Sequence, residues 1–263
     1  MTAFSGAAKR RETIIEQLAR ENVVRVAELS QTFGISEVSI RRDLERLQRN
    51  GLLQRVHGGA VAVVTADGAR AGDHAHGVIQ HLEEKRRIGR AGAALIEPGD
   101  RILFDSGTTV LEVARALTND PVRAGSLTAI TCSLPIVQEL GHHRWIHLLL
   151  LGGIYLAERR LVIGPQTIET LRTLHADKMF LGADGMTLSH GVTTATVLEA
   201  EVDRAMIQAA DEVILVADSS KVGGIGLATI LPLARVHKLI TDQAASASFV
   251  KALADAGVEV VLV

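Results

Sequence analysis

With 263 residues, 47% of them hydrophobic and 22% charged, the chain is long enough for one large or two moderate domains and too apolar to be a disordered polymer. No apolar run approaches the roughly 20 residues of a membrane-crossing helix, and MTAFSGAAKR has no apolar segment ahead of its first charges, so a soluble, cytoplasmic protein with no membrane partner is expected. Cys132 is the only cysteine, which excludes an internal disulfide or a cysteine-built metal site, and the formal charge of -2 divides unevenly: residues 1–60 hold ten Lys/Arg against seven acids, net +3, leaving -5 for the rest.

A basic head on an acidic body suits a protein that meets phosphate backbones with its head alone. The first predicted helix covers residues 9–21, with Ile14, Ile15 and Leu18 at helical spacing. Lys9, Arg10 and Arg11 stand at its start, where cations oppose the helix dipole, so an external anion is the expected reason for them. A second helix over 26–34 offers Ala27, Leu29 and Phe33 to a core, and Gly34 permits a tight turn. The third, SEVSIRRDLERLQRN over 36–50, has Ser36 as N-cap and Gly51 as stop. At 100° per residue Ile40, Leu44 and Leu47 form one narrow stripe, while Val38, Arg42, Arg46 and Arg49 project the other way. Helix, short turn, helix is the arrangement that places a second helix in the DNA major groove. The alternative is an ordinary helix pair with a solvated arginine face.

GLLQRVHGGAVAVV then gives two short apolar runs around His57, Gly58 and Gly59, a predicted β-hairpin wing. Arg55 and His57 at its tip either reach a sugar-phosphate backbone or face solvent. From RRETIIEQLAR through VHGGAV the text resembles the winged helix-turn-helix head of DeoR-type bacterial repressors, whose signature runs S-x-x-T-I-R-R-D-L ahead of G-L-[LI]-x-R-x-H-G-G-A. The resemblance implies a winged helix-turn-helix domain over residues 1–60 with double-stranded operator DNA as partner. It implies Ser36, Ser39, Arg41, Arg42, Arg46, Arg49, Arg55 and His57 as the contact residues. Ser39 stands where the family mostly has Thr, which keeps the hydroxyl and removes a methyl that could meet a thymine methyl.

Residues 61–83 read as a linker. His74, His76 and His81 invite a metal, but their spacings of two and five in an aperiodic stretch argue for none. From residue 84 strands and helices alternate. Strands are predicted at 101–105, 127–132, 147–151, 178–182, 212–217, 237–241 and 258–263, with helices in ALIE, TVLEVARAL, LPIVQEL, PQTIETLRTL, TVLEAEVDRAMIQAA and ASFVKALADAG. That alternation implies an α/β fold with a mainly parallel sheet covered on both faces, whose ligands bind beyond the carboxyl ends of the strands.

Polar turns fall at those ends. Asp105, Ser106, Gly107, Thr108 and Thr109 follow one strand and open a helix, either as a phosphate cradle or as an ordinary helix cap with spare hydroxyls. TCSLP (with Thr131 and Ser133), LGG (with Gly152 and Gly153), GADG (with Asp184) and DSSK (with Lys221) occupy the same place on later strands. Together they suggest one site carrying hydroxyls, a carboxylate and an ammonium, suited to a phosphorylated polyol. Lys221 could equally be a surface lysine and Asp184 a turn-former.

This half is similar, over residues 85–242, to the effector domain of DeoR-type repressors, itself similar in fold to ribose-5-phosphate isomerase. The resemblance implies an effector and oligomerisation domain over 84–263 that holds a sugar phosphate, its phosphate near residues 106–109 and its hydroxyls near Thr131, Ser133, Asp184 and Lys221. Cys132 stands where the family commonly has Asn. The segment 191–207 is closest to members governing amino-sugar and hexose-phosphate operons. The function implied is a repressor of a carbohydrate catabolic operon, acting as a homo-oligomer, dimer or tetramer, without a cofactor. The alternative is a sugar-phosphate isomerase with an appended DNA-binding head. An isomerase of this fold would show a lysine and several glycines after GADG, whereas no lysine follows until Lys221, so binding without catalysis is expected.

Overall fold

A computed structural model of the chain describes residues 7–21, 23–49, 53–61, 81–118 and 126–263. They group into two compact units, one of residues up to Leu82 together with Ala157–Arg159 and one of Glu83–Leu156 with Arg160–Val263. The head comprises α1 (Ala7–Glu21), β1 (Val23–Arg25), α2 (Val26–Phe33), α3 (Glu37–Arg49), β2 (Gln54–Val56) and β3 (Gly59–Val61). Strand β3 lies between β1 and β2 and is antiparallel to both. The core is Ile14, Ile15 and Leu18 from α1, Leu29 and Phe33 from α2, Ile40, Leu44 and Leu47 from α3, and Leu53.

Helix α2 begins at Val26, which puts Val26, Leu29 and Phe33 on its inner stripe and turns Ala27 outward, so the expected Ala27 core contact is not made. Gly34 closes α2 with φ 65°, a left-handed conformation favouring glycine. The Ser36 hydroxyl accepts from the Ser39 amide at 3.3 Å, the N-cap bond. The stop expected at Gly51 lies outside the described residues, as does the Lys9 side chain.

The anion expected for the basic start of α1 is internal. Asp43 on α3, 5% exposed, accepts from Arg10 Nε at 2.7 Å and Arg11 Nη1 at 3.1 Å. A buried carboxylate needs paired, hydrogen-bonded cations, and two arginines from α1 supply them while fastening α1 to α3.

The body comprises α4 (Leu82–Ala93), β4 (Arg101–Phe104), α5 (Thr108–Thr118), β5 (Leu127–Thr131), α6 (Leu134–Leu140), β6 (Ile146–Leu150), β7 (Ile154–Leu156), β8 (Leu161–Ile163), α7 (Pro165–Leu171), β9 (Ala176–Leu181), β10 (Gly185–Thr187), β11 (Gly191–Thr194), α8 (Val197–Gln208), β12 (Ala210–Val216), β13 (Ala228–Leu231), β14 (Lys238–Thr241), α9 (Ala247–Asp255) and β15 (Glu259–Leu262). The seven predicted strands form one parallel sheet in the order β15-β14-β12-β9-β4-β5-β6. Alternate side chains enter two cores. Ile102, Phe104, Ile214 and Val216 pack with Ile88 of α4, Val110 of α5 and Ile136 of α6, whereas Leu103, Val213 and Leu215 pack with Val202 and Met206 of α8 and Phe249 of α9.

The helix expected in ALIE is displaced. Helix α4 ends at Ala93 and residues 94–97 leave it, because Pro98 disfavours the helical conformation of Glu97 before it. Strands β10, β11 and β13 form a separate antiparallel sheet, and β7 pairs with β8, none of which the periodicity predicts. Residues 62–80 of the expected linker, with His74 and His76, lie outside the described residues, and His81 is exposed. Among the described residues no helix is long and apolar enough to cross a membrane.

Substituting Asp43→Ala leaves two half-shielded arginines without their anion and should destabilise the head by about 2–4 kcal/mol. Hydrogen exchange would read it as faster exchange confined to α1, α2 and α3, with β4 and β9 unchanged.

Candidate functional site

The polar residues singled out by the sequence fall in both units. In the head, α3 buries Ile40, Leu44 and Leu47 and exposes Val38, Arg42, Arg46 and Arg49 on the far side. Arg41 is held by Glu37 at 2.5 Å and Arg55 of β2 by Glu45 at 2.8 Å. No carboxylate among the described residues pairs with Arg42, Arg46 or Arg49, which at i, i+4 and i+7 stand in one row. Ser39 is half-buried, its hydroxyl 3.1 Å from that of Ser36.

The wing turns at His57 and Gly58, with Gly58 at φ 77°. A side chain on Gly59 would meet the Val24 carbonyl at 2.1 Å, so only glycine lets β3 lie against β1. A cleft of about 270 Å³ opens between α3 and the wing, lined by Arg41, Arg55 and His57 beside Val26 and Val56. The head therefore presents three cations with no internal anion, beside a cleft holding two more whose surface ion pairs are weak enough to exchange for another anion.

In the body, a parallel sheet puts every carboxyl end on one edge. From β4 the chain steps outward through β5 and β6, then returns to β9 on the other side of β4 and steps outward through β12, β14 and β15. The reversal between β4 and β9 leaves a crevice where such folds bind ligands. Asp105 sits there, 6% exposed, its Oδ1 accepting from the Ser106 amide at 2.5 Å and its Oδ2 from the Gly182 amide at 2.9 Å. One amide of the expected phosphate cradle is thus already spent on an internal carboxylate. The Ser106 hydroxyl stays half-buried and the glycine turn at Gly107 exposed, ahead of Thr108 and a buried Thr109.

Thr131 is fully buried, its hydroxyl donating to the Phe104 carbonyl at 2.8 Å and accepting from the Ser133 amide at 3.0 Å. It braces the ends of β4 and β5 and has no hydroxyl proton to spare for a ligand. Asp184 is exposed, with Oδ2 accepting from the Ala195 amide at 2.8 Å and the Thr194 hydroxyl at 3.1 Å. The loop after β12 folds onto this segment, since the Gly223 amide donates to the Met186 carbonyl at 2.9 Å, and so carries Lys221 toward Asp184. Residues 105–106 thereby meet 182, and 221–224 lie against 184–186. Gly152 and Gly153 lie apart: they follow β6, two strands or roughly 10 Å beyond β4, where the Gly152 carbonyl accepts from Thr167 at 2.8 Å.

Sequence reasoning missed the acids behind the crevice. Asp203 and Glu199 of α8 are each 6% exposed, and the Thr194 hydroxyl lies 3.0 Å from Glu199 Oε2. Burial lifts Asp105 to about 6 against the opposing pull of the Gly182 and Ser106 amides. Asp203 is pushed well above the carboxylate range by burial and then by the charge of Asp105. The two carboxyls are coupled and hold a proton between them. Burial likewise holds Cys132 as a neutral thiol. A signal for the pair existed: two acids at i and i+4 on one helix face repel, an odd choice unless that face is buried around a proton.

Residues 10–66 match the family described as DeoR-like helix-turn-helix domain, and residues 80–243 that described as DeoR C terminal sensor domain. The transcriptional repressor AccR of Agrobacterium fabrum is 35% identical over 91% of this chain and 91% of its own. The HTH-type transcriptional regulator YulB of Bacillus subtilis, itself uncharacterized, is 34% identical over 97% of this chain and 96% of its own. Among solved structures, ribose 5-phosphate isomerase A of Methanocaldococcus jannaschii superposes with a TM-score of 0.41 at 17% identity, over 54% of each chain.

Because Asp105 holds its proton more tightly folded than unfolded, the stability it contributes is complete below about pH 4 and is lost as pH rises through about 6. Thermal melts between pH 4.5 and 7.5 should show that decline, on the order of 2 kcal/mol. In Asp105→Asn, which keeps an oxygen acceptor but cannot titrate, the decline should flatten; an unchanged slope would show that it does not arise from Asp105.

Proposed function

The chain belongs to the DeoR family of transcriptional regulators, and from that premise we propose that its head grips operator DNA while a phosphorylated sugar in its body changes that grip. It is a regulator and not an enzyme, as its named relatives are. The observation that carries the DNA reading is the row Arg42, Arg46 and Arg49, exposed opposite a fully buried stripe and without an internal anion. Guanidinium groups so placed meet phosphates or guanine edges in a major groove, with Arg41, Arg55 and His57 reaching the flanking backbone and Ser36 and Ser39 at the helix entry.

In the body, the amino end of α5 with Ser106, Gly107, Thr108 and Thr109 favours a phosphate, and Asp184 and Lys221 offer an acceptor and a donor to sugar hydroxyls. Thr131 and Ser133 act in this reading as the brace beneath the phosphate loop. Gly152 and Gly153, off to one side, would shape the rim. The reading assigns the sugar to a carbohydrate operon that the protein represses. It takes the working species to be a dimer or tetramer, since a repeated or palindromic operator is read by two heads.

Immobilised protein used to capture genomic fragments gives an operator, and melting against hexose and amino-sugar phosphates gives an effector. Arg42→Ala should then weaken operator binding at least about tenfold and lower its salt dependence, with the sugar-phosphate thermal shift intact. Operator affinity equal to the parent's would remove the arginine row from the interface, and loss of both responses would deny the two units separate roles.

A further inference from the structure

One carboxylate in the body faces two ways. Asp218, 1% exposed, follows β12 and caps the helical turn Ser219–Lys221, its Oδ1 accepting from the Ser220 amide at 3.1 Å and also from the Ser220 hydroxyl. Asp242 holds the same turn from β14, accepting from the Ser219 amide at 2.6 Å. The other Asp218 oxygen, Oδ2, lies 3.9 Å from Nζ of Lys85, which is 2% exposed in the first turn of α4.

At that separation the charges attract, but no hydrogen bond joins them. Among the described residues Asp218 Oδ2 is one of two buried side-chain oxygens or nitrogens without a hydrogen bond, the other being Thr241 Oγ1 at the end of the adjacent β14. An unsatisfied buried carboxylate oxygen is costly, and a sub-ångström shift of the turn toward α4 would give it a charge-assisted bond. The arrangement therefore has a close, better-bonded alternative, which is what a two-state element requires. Its position suits the role: Lys221 ends the turn, and α4 is the first described helix after residues 62–80, the stretch leading back to the head.

We propose that Asp218 is the joint that passes occupancy of the turn Ser219–Lys221 to α4, with Lys85 as the receiving group. The inference rests on the sugar-phosphate reading above, because Lys221 is there an effector contact. Ligand bound beside Lys221 moves the turn, the carboxylate moves with it, and the first turn of α4 answers through Lys85. Asp218 is thus a positioning residue that need not touch the effector.

The test uses the full chain in two arms. Without ligand, Ser220→Ala releases one of the bonds on Asp218 and should change hydrogen exchange of residues 83–88 by about threefold or more in the parent, but not in a Lys85→Gln/Asp218→Asn background where both charges are gone. An equal change in both backgrounds, or none in either, overturns the joint. With ligand, the probes are glucose 6-phosphate, glucosamine 6-phosphate and galactosamine 6-phosphate. Asp218→Asn, which keeps the Oδ1 acceptor for Ser220, should retain the parent's thermal shift and unliganded operator affinity while losing at least about tenfold of the probe-induced drop in that affinity. Release of operator by the variant equal to the parent's overturns the proposal. Should no probe shift the parent, the sugar-phosphate reading fails for these sugars and the exchange arm still decides the joint; should the double variant not fold, Asp218→Asn alone serves as the second background.

Discussion

The body is arranged around a carboxylate that should not be comfortable where it is. Asp105 is buried at the point where the strand order reverses, and its two oxygens take the Ser106 and Gly182 amides from the ends of adjacent strands. Its own amide donates to the Phe180 carbonyl at 3.0 Å, and one layer below, the Phe104 and Phe180 rings stack with centroids 5.7 Å apart. Backbone amides alone do not offset the loss of water around a buried charge, and no cation stands among the groups acting on it. A proton shared with Asp203 does the rest, so α8 is tied to the crevice through a hydrogen bond whose strength depends on protonation. Gly182 follows from the same constraint, since a side chain there would lie 3.1 Å from the Ser106 carbonyl and 3.4 Å from Asp105.

Charge in the head is settled by position. Arg10 and Arg11 are neutralised by a buried Asp43, whereas Arg25, Arg41 and Arg55 have only surface partners at 3.6, 2.5 and 2.8 Å. Surface pairs are worth at most about 1 kcal/mol and weaken further with salt, so Arg41 and Arg55 can turn to phosphates at little loss. The Asp43 pair cannot be exchanged without loosening α1 from α3. The surplus of positive charge therefore gathers on the outer row of α3.

The sequence was most legible where burial is periodic. All seven strands of the large sheet and the inner and outer faces of α3 could be read from apolar spacing, because apolar side chains there do nothing but alternate with the element's own period. It was least legible where a charged residue is buried. Asp43, Lys85, Asp203 and Asp218 lie on elements whose periodicity assigns charge to solvent, and each is buried only because a partner 32 or more residues away, or in Asp203's case 98, comes to meet it. Such pairings are tertiary facts without a local pattern. The small sheet of β10, β11 and β13 escaped for another reason: strands of three or four residues rich in Gly and Thr give too few alternations to register.

The same accounting weighs against turnover in this crevice. A general base needs a lone pair facing the substrate and freedom to carry the proton away. Asp105 has both oxygens committed to amides and shares a proton with Asp203. Asp184 gives one oxygen to the Ala195 amide, and that oxygen and Glu199 Oε2 both lie within reach of the single Thr194 hydroxyl proton. Carboxylates engaged in this way hold a shape rather than do chemistry. They stiffen the floor of the crevice, so a ligand that binds better in one placement of the loops shifts the population of that placement instead of being consumed, and what it can deliver elsewhere in the chain is limited to that difference in affinity.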